Sequence, residues 1–314
     1  MRCKLCKRAL ALVLALTLPL GCLAEEDEEI SIEDTAGIFL EEVTYDDVAW
    51  QFPIDLMAID PVLIRLANKQ VLLGKDFVPS PLVTMKTRKA NADGSNANGG
   101  VKKASSSEMK LQEECAAALV TMFEAALEDG ITLYLKSAYR SWSTQNTMYS
   151  NRLKKNGGKD DGWVSKPGAS DHQTGLGCDV VPYEWRDKGM NEKMAATEEC
   201  QWMAAHCAEY GFIIRYPEDK EDVTEINYEP WHLRYVGNPA ATYIMENGLC
   251  LEEFHQQLQE AIDLFLHKRY LCQRQRFRAC GRDQRAFRSP FGNLRGHPLD
   301  AILCMQDRII LLFF

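Results

Sequence analysis

Two short segments decide the interpretation of this chain of 314 residues: Ser170-Asp-His-Gln-Thr-Gly-Leu-Gly-Cys-Asp179 and Tyr228-Glu-Pro-Trp-His232. The sequence contains only 6 histidines, and each segment carries one of them. His172 and Asp179 are separated by a stretch with glycine at position 175, where the chain can turn back on itself. Both side chains can then face a single ion, and the segments together suggest a metal site.

The chemistry of the candidate ligands points to zinc. His172, Asp179 and His232 would supply two imidazole nitrogens and one carboxylate, a ligand set of catalytic zinc that leaves one position open for water. Glu229 lies three residues before His232 and would stand near that open position as a general base. The HExxH signature of other zinc hydrolases is absent from the sequence. Because a single histidine is more often a surface or core residue, the spacing alone favours one Zn2+ ion without establishing it.

A wider pattern of four blocks supports this interpretation. The blocks are Ser137-Ala-Tyr-Arg-Ser-Trp142, Pro167-Gly-Ala-Ser-Asp-His-Gln-Thr-Gly-Leu-Gly-Cys-Asp-Val180, Gly211-Phe-Ile-Ile-Arg-Tyr-Pro217 and Tyr228-Glu-Pro-Trp-His-Leu-Arg-Tyr-Val-Gly237. In content and order they resemble the VanY-type D-alanyl-D-alanine carboxypeptidases, which are zinc peptidases with a hedgehog-like α+β fold. The resemblance implies helices packed on a small antiparallel sheet and an enzyme that hydrolyses peptides.

The resemblance also assigns roles to individual residues. It implies three metal ligands and a catalytic base, which are His172, Asp179, His232 and Glu229. Arg140 matches a family arginine that holds substrate and stabilises the oxyanion, as a fixed guanidinium near zinc would. Gln145 and Ser170 are similar in position to family groups that bind the substrate peptide; their alternatives are a helix-surface amide and a turn serine. Gly177 and Cys178 depart from the family, where alanine and a bulkier apolar residue are usual.

Hydrophobic periodicity and turn residues predict the secondary structure independently. The predicted elements are a helix that begins between 107 and 111 and ends at Gly130, a strand over 131–135, a helix over 141–155 capped by Ser141, a strand over 176–181, a helix over 195–210, and strands over 212–216 and 231–236. Helices and strands alternate without the regular βαβ rhythm of a doubly wound sheet, so the predicted class is α+β.

The N-terminus has the layout of an export signal. Residues 1–24 carry four basic residues within the first eight positions and an apolar run over 9–20, and an acidic stretch follows them. The apolar run is shorter than the roughly 20 residues that a membrane-spanning helix needs. Cleavage after Ala24 would give a secreted protein, and a degenerate lipoprotein signal with lipidation of Cys22 is the alternative. We expect an exported protein of the cell envelope, with membrane association only through this end.

Charge divides the rest of the chain into an acidic body and a basic tail. Residues 25–267 carry 22 basic and 42 acidic residues, and residues 268–314 carry 10 basic and 3 acidic residues. An acidic body argues against nucleic acid as a partner, since phosphate binding needs a basic face. The tail could bind an anionic surface or could be disordered and without function, and the second interpretation is favoured.

These observations predict four regions: a signal peptide over 1–24, an acidic spacer and N-terminal extension over 25–106, the VanY-type carboxypeptidase domain over 107–250, and a helical continuation with a basic, disordered tail over 251–314.

The remaining histidines receive no metal role; they are His206, His255, His267 and His297. Eight cysteines remain after removal of the signal and form no CxxC pair, which makes a cysteine-rich zinc site improbable. Free buried thiols and one or two disulfides are both left open.

The resulting hypothesis is an exported, monomeric zinc D,D-carboxypeptidase that uses a zinc-activated water to remove the terminal D-alanine of peptidoglycan stem peptides. One alternative is an L,D-carboxypeptidase that acts on tetrapeptide stems. Another is a non-catalytic, zinc-stabilised module that binds the cell wall. Glu229 argues against the second alternative, because a structural zinc needs no base beside an open position.

Removal of all residues after Leu266 is expected to leave zinc binding and peptide hydrolysis intact, because the four family blocks end before this point. Zinc content and D-alanine release should be measured for the truncated and the full chain. A truncated chain that folds but releases no D-alanine would contradict the assignment of the tail to a region outside the catalytic unit.

Overall fold

The computed structural model describes the backbone of residues 49–279 and the side chains of residues 49–269. The predicted signal peptide and most of the basic tail therefore lie outside the described residues. Within this range the chain forms six α-helices, a sheet of two strands and a sheet of four strands. No helix in this range is both long enough and apolar enough to cross a membrane.

The regular elements follow the sequence in mixed order, which confirms the predicted α+β class. The strands are β1 (Leu82–Thr84), β2 (Lys110–Gln112), β3 (Tyr134–Ser137), β4 (Gly177–Val181), β5 (Phe212–Ile214) and β6 (His232–Tyr235). The helices are α1 (Glu113–Glu128), α2 (Trp142–Lys155), α3 (Glu198–His206), α4 (Glu221–Thr224), α5 (Ala240–Glu246) and α6 (Leu251–Ala279). Short 3-10 turns connect several of them, including Asp171–Thr174 immediately before β4.

The larger sheet carries the catalytic candidates. Its strand order is β3-β4-β6-β5, and every neighbouring pair is antiparallel. In the register of β4 and β6, Asp179 lies opposite His232 and Gly177 lies opposite Arg234. Residues directly opposite each other in an antiparallel pair have Cβ atoms only about 5 Å apart. The register therefore brings two residues that are distant in the sequence into contact.

Two hydrophobic clusters cover the two faces of this sheet. Phe212 and Ile214 of β5 pack in one cluster with buried residues of α1, and Ile213 between them packs in the other with buried residues of α6. Alternate strand residues point to opposite faces, so the sheet is covered on both sides. All five residues of β4 are buried, and Asp179 is the one charged residue among them.

Local sequence signals place several boundaries correctly. Ser141 caps α2, and its Oγ accepts a hydrogen bond from the Thr144 amide at 3.2 Å. Gly130 follows α1 with a φ of 82°, a conformation that favours glycine.

Other boundaries differ from the sequence prediction. Lys110–Gln112 pairs with β1 as a strand, whereas the sequence pattern placed the start of a helix there. The strand predicted over 131–135 is formed by Tyr134–Ser137, which pairs with β4. The helix predicted over 195–210 is α3 flanked by 3-10 turns over 192–196 and 207–210. Pairing with another strand decides the first two cases.

Several apolar residues before residue 107 pack into the folded body. Ile54, Ile59 and Ile64 are buried in the cluster that contains α6. Met85 and Val101 are buried in the cluster that contains α1. The folded unit therefore begins well before the end of the predicted spacer over 25–106, and it continues into α6 beyond residue 250.

The cysteines with described side chains are free thiols buried in the interior. They are Cys115, Cys178, Cys200, Cys207 and Cys250. Burial raises the pKa of the Cys200 thiol to about 11 and that of Cys207 to about 12. These thiols are therefore protonated at neutral pH and act as small apolar core groups.

Phe254→Ala should lower the free energy of unfolding by about 3–5 kcal/mol. The ring is fully buried and packs in the same hydrophobic cluster as Ile213 of β5, so its removal leaves a cavity between α6 and the sheet. Leu264→Ala on the same helix is the matched control, since Leu264 is exposed, and it should change stability by no more than about 0.5 kcal/mol. Urea unfolding monitored by circular dichroism measures both. Equal effects of the two substitutions would show that α6 does not pack on the body as described.

Candidate active site

The three predicted metal ligands meet at the edge where the 3-10 turn enters β4. Asp179 Oδ2 lies 3.3 Å from His172 Nε2, and Asp179 Oδ1 lies 3.2 Å from His232 Nδ1. One donor atom from each residue lies within 4.8 Å of the others, and all three side chains are buried. The structure thus brings together, from a turn and two strands, the residues that the sequence predicted.

The turn that carries His172 is fixed from several sides. Gly175 ends the turn with a φ of 70°, and a Cβ added there would lie 2.9 Å from the side chain of Leu82. The Arg140 amide donates to the His172 carbonyl at 3.1 Å. His172 Nδ1 lies 2.7 Å from the Ala138 carbonyl oxygen, which makes this nitrogen the protonated donor and leaves Nε2 with a free lone pair.

The donor geometry fits a zinc ion. Two ligand atoms that each lie about 2.0–2.1 Å from a tetrahedral zinc ion are roughly 3.3 Å from each other. Asp179 places one carboxylate oxygen at this distance from each imidazole donor, Oδ2 at 3.3 Å from His172 Nε2 and Oδ1 at 3.2 Å from His232 Nδ1. The oriented His172 ring is also typical of zinc sites, where the second ring nitrogen donates to a carbonyl or carboxylate. His172, Asp179 and His232 are therefore suited to hold one zinc ion.

The environment keeps these ligands in the protonation states that metal binding requires. Burial and the Arg140 guanidinium lower the pKa of His172, which favours the neutral imidazole. Burial acts to raise the pKa of Asp179, but His172 and His232 outweigh it and hold that pKa well below its usual value. Neutral imidazole and ionised carboxylate are the forms that ligate metal.

Glu229 lies beside the ligands without being one of the closest three. Its Oε2 is 3.4 Å from His232 Nδ1, and its carbonyl accepts the His232 amide at 3.1 Å. Its own amide donates to the Tyr216 carbonyl at 3.0 Å, so the backbone at this position is tied to the chain after β5. Burial and the Asp179 charge raise the pKa of Glu229 well above its usual value. A carboxyl group whose pKa is raised is a stronger base than an ordinary glutamate and suits proton transfer.

Arg140 is held over the site by other side chains. Its Nη2 lies 3.8 Å from Asp179 Oδ2 and donates to Ser137 Oγ at 3.2 Å, while its Nη1 donates to Gln145 Oε1 at 2.8 Å. Gln145 is itself buried and donates from Nε2 to the Ser165 carbonyl at 2.6 Å. In this arrangement Gln145 orients the guanidinium, and its predicted contact with substrate stays a prediction. The fixed guanidinium can stabilise negative charge that develops beside the ligands.

A cavity of about 360 Å³ opens onto these groups. Arg140, Gln145, Ser170, Glu229 and the three ligands line it. Ser170 is buried at the start of the His172 turn, where its carbonyl accepts the Gln173 amide at 3.0 Å. The cavity places every sequence-predicted site residue in one space.

The cavity wall also contains aromatic residues that the sequence analysis did not assign. Trp163 and Trp231 stack with ring centroids 6.4 Å apart and planes 10° apart, and Tyr216 packs against the His232 ring. A tryptophan inside the polar loop before Ser165 was the available signal for Trp163.

The other histidines with described contacts lie outside the cavity. His206 contacts Glu209, and His255 contacts the Ile64 carbonyl.

An α+β fold with two histidines and one carboxylate around an open position, a glutamate beside them and an arginine above them defines a metallopeptidase-type hydrolase. Comparison with known proteins gives the family. A family model described as VanY, D-alanyl-D-alanine carboxypeptidase, matches residues 108–238. YodJ of Bacillus subtilis (strain 168) is 34% identical over 242 residues, which cover 74% of this chain and 82% of YodJ. The chain belongs to the VanY family of zinc peptidases.

Two further relatives bear on the activity. A bifunctional D-Ala-D-Ala dipeptidase and D-Ala-D-Ala carboxypeptidase of Enterococcus gallinarum, VanXYC, is 38% identical over 137 residues, 42% of this chain and 70% of that protein. The solved structure of the LdcB LD-carboxypeptidase is 37% identical with a TM-score of 0.54, covering 62% of this chain and 87% of that one. The chain is therefore a hydrolase of a carboxypeptidase family, and zinc is the metal that fits its donor set.

Removal of zinc should lower the thermal stability of the protein. At free zinc about 1,000 times its dissociation constant, the bound ion contributes about 4 kcal/mol to the free energy of unfolding. Thermal melts with chelator and with excess Zn2+ measure this difference. His172→Ala should abolish the response to zinc, while His206→Ala, a change at an exposed histidine, should preserve it. A zinc-dependent rise in Tm that survives His172→Ala would contradict the assigned ligand set.

Proposed function

We propose that this chain is an exported, zinc-dependent D,D-carboxypeptidase that removes the terminal D-alanine from peptidoglycan stem peptides. The observation that carries the proposal is the convergence of the three metal ligands with Glu229 and Arg140 in one cavity. Each of these groups has a separate role in peptide hydrolysis. A protein that only binds peptide needs neither a proton-transferring glutamate such as Glu229 nor an oxyanion-stabilising arginine such as Arg140.

The catalytic steps assign one role to each side chain. Zinc, when bound, polarises the scissile carbonyl and lowers the pKa of a coordinated water. Glu229, 3.4 Å from the ligand nitrogen of His232, takes a proton from the attacking water and then delivers it to the departing amine. Arg140 stabilises the negative charge that develops on the carbonyl oxygen during attack. Gln145 keeps the guanidinium oriented for this task through its 2.8 Å hydrogen bond.

Cleavage of an L,D bond in tetrapeptide stems is the second candidate. It is supported by the similarity to the LdcB LD-carboxypeptidase, at 37% identity and over 87% of that chain. The same ligands, base and arginine could cut either bond, since the chemistry at the carbonyl is identical. The two activities would differ in how the cavity accommodates the residue before the cleaved bond.

Export is part of the proposal and rests on the sequence of residues 1–24, whose basic, apolar and acidic order is typical of a secretory signal. An extracytoplasmic location would bring the enzyme to its stem-peptide substrate, either secreted or anchored through the N-terminal end. We further propose that the enzyme acts as a monomer, since one chain supplies every group of the site. A non-catalytic wall-binding role is disfavoured by the buried Glu229 beside the ligands.

Purified chain lacking residues 1–24 should release D-alanine from muropeptides in a zinc-dependent reaction, measured by mass spectrometry. A pentapeptide stem tests the D,D activity and a tetrapeptide stem tests the L,D activity, and the ratio of kcat/KM for the two substrates decides between them. Glu229→Gln should lower kcat by about 10²–10⁴-fold, because it removes a general base. Its zinc content should stay unchanged.

Glu209→Gln is the matched control, since Glu209 is an exposed glutamate that contacts His206 outside the cavity. This variant should keep full activity. Two outcomes would overturn the proposed function. One is the absence of D-alanine release from both substrates by zinc-loaded protein, and the other is unchanged activity of Glu229→Gln.

A further inference from the structure

A cluster of four charged side chains lies beside the metal ligands; Asp171, Arg215 and Arg234 are buried, and Glu252 is partly buried. Asp171 is fully buried and accepts hydrogen bonds from Arg215 Nε at 2.7 Å and from Arg234 Nη1 at 2.6 Å. Arg215 donates from both terminal nitrogens to Glu252 of α6, at 2.8 Å and 2.7 Å. The two guanidinium groups and two carboxylates balance in charge, and the catalytic steps use none of them.

Backbone contacts extend this charge cluster to the N-terminal segment. Arg234 Nη2 donates to the carbonyls of Leu63 and Arg65 at 2.9 Å and 2.7 Å. The cluster of Asp171, Arg215, Arg234 and Glu252 therefore joins four separate parts of the chain: the segment before β1, the 3-10 turn, strands β5 and β6 with their continuation, and α6. Two of these parts lie outside residues 108–238, which match the family model.

The charge cluster lies at the pair of opposed β4 and β6 residues next to the pair that carries two metal ligands. Asp179 opposes His232, and Gly177 opposes Arg234 two residues further along the strands. Residues two apart on a strand point to the same face, so Arg234 lies beside His232. A Cβ at Gly177 would come within 3.0 Å of the Asp171 carbonyl carbon and Cβ, so Asp171 fills the place where a side chain of residue 177 would stand.

Each histidine ligand is connected to the charge cluster through the backbone. Asp171 immediately precedes His172, so a shift of the Asp171 carboxylate moves the peptide that carries the first ligand. Arg215 donates its backbone amide to the His232 carbonyl at 3.1 Å, and Arg234 follows His232 by two residues. The Asp171 carboxylate accepts hydrogen bonds from both guanidinium groups and is therefore an anchor between the two histidine ligands.

We propose that Asp171 is a positioning residue for the metal site, which holds His172 and His232 at the separation of one zinc ion through Arg215 and Arg234. This inference rests on the proposed function only in taking zinc as the metal. Glu252 supports it from α6 by holding the far side of Arg215. The alternative is that the charged cluster stabilises the fold without affecting the ligand geometry.

Zinc affinity distinguishes these two roles. Dissociation constants should be measured by competition with a chromophoric chelator for the wild type, Asp171→Asn and Glu252→Gln. Asp171→Asn should weaken zinc binding on the order of 10- to 100-fold, as expected for loss of a group that orients metal ligands. Glu252→Gln should weaken it less, by about threefold to tenfold, because Asp171 remains. Bound Co2+ should show an altered visible absorption spectrum in Asp171→Asn, since this spectrum depends on coordination geometry.

Glu124→Gln is the matched control because it removes another carboxylate that pairs with an arginine. Glu124 accepts from Arg88 at 2.7 Å and 3.0 Å at a position on α1 outside the cavity. It should leave the zinc dissociation constant within about twofold of the wild type, whatever it does to Tm. Circular dichroism in the presence of chelator identifies the variants that are folded without metal, and only these are compared.

Several outcomes decide the proposal. If folded Asp171→Asn binds zinc with the wild-type dissociation constant and the wild-type Co2+ spectrum, Asp171 has no positioning role. If Asp171→Asn is unfolded without metal, the decision passes to Glu252→Gln, and wild-type zinc affinity in that variant overturns the proposal. Failure of the wild type itself to bind zinc would instead overturn the proposed function.

Discussion

The register of β4 against β6 is the constraint on which the site depends. It sets Asp179 opposite His232, and a slip of one residue would turn one of these ligands to the other face of the sheet. The register is held because both faces of the central strands are buried and because the Val180 amide donates to the Trp231 carbonyl at 2.9 Å. The third ligand comes from the turn before β4, so the same strand pair fixes its position as well.

Two carboxyl groups in the same cavity have pKa values shifted in opposite directions because their neighbours differ. Asp179 contacts two imidazole rings, which hold its pKa well below the usual value, whereas burial and the Asp179 charge raise the pKa of Glu229. One group is thereby suited to ligate a cation and the other to move a proton. This division of tasks arises from placement alone, since the two side chains have the same functional group.

Features encoded by neighbouring residues could be predicted from the sequence. The Ser141 cap of α2 and the glycine after α1 involve interactions within a few residues, and both are present. Features that depend on distant partners were missed. Lys110–Gln112 is a strand only because it pairs with β1, and part of residues 49–106 belongs to the folded body because apolar side chains such as Ile64 pack in the cluster that contains α6. Pairing and burial of this kind are tertiary effects that override local propensity.

The sequence by itself determined which side chains were candidates for this chemistry: through its motifs and their resemblance to a known family it predicted the zinc ligands, the glutamate that moves a proton and the arginine that meets an oxyanion. The tertiary structure decided how these groups are held. It turned Gln145 into a support for Arg140, and it placed Asp171 in the space that Gly177 leaves open, between Arg234 of β6 and Arg215, which follows β5. The physical reason is that a side chain's functional group is a local property, whereas its partners are set by strand register and burial, which involve the whole chain.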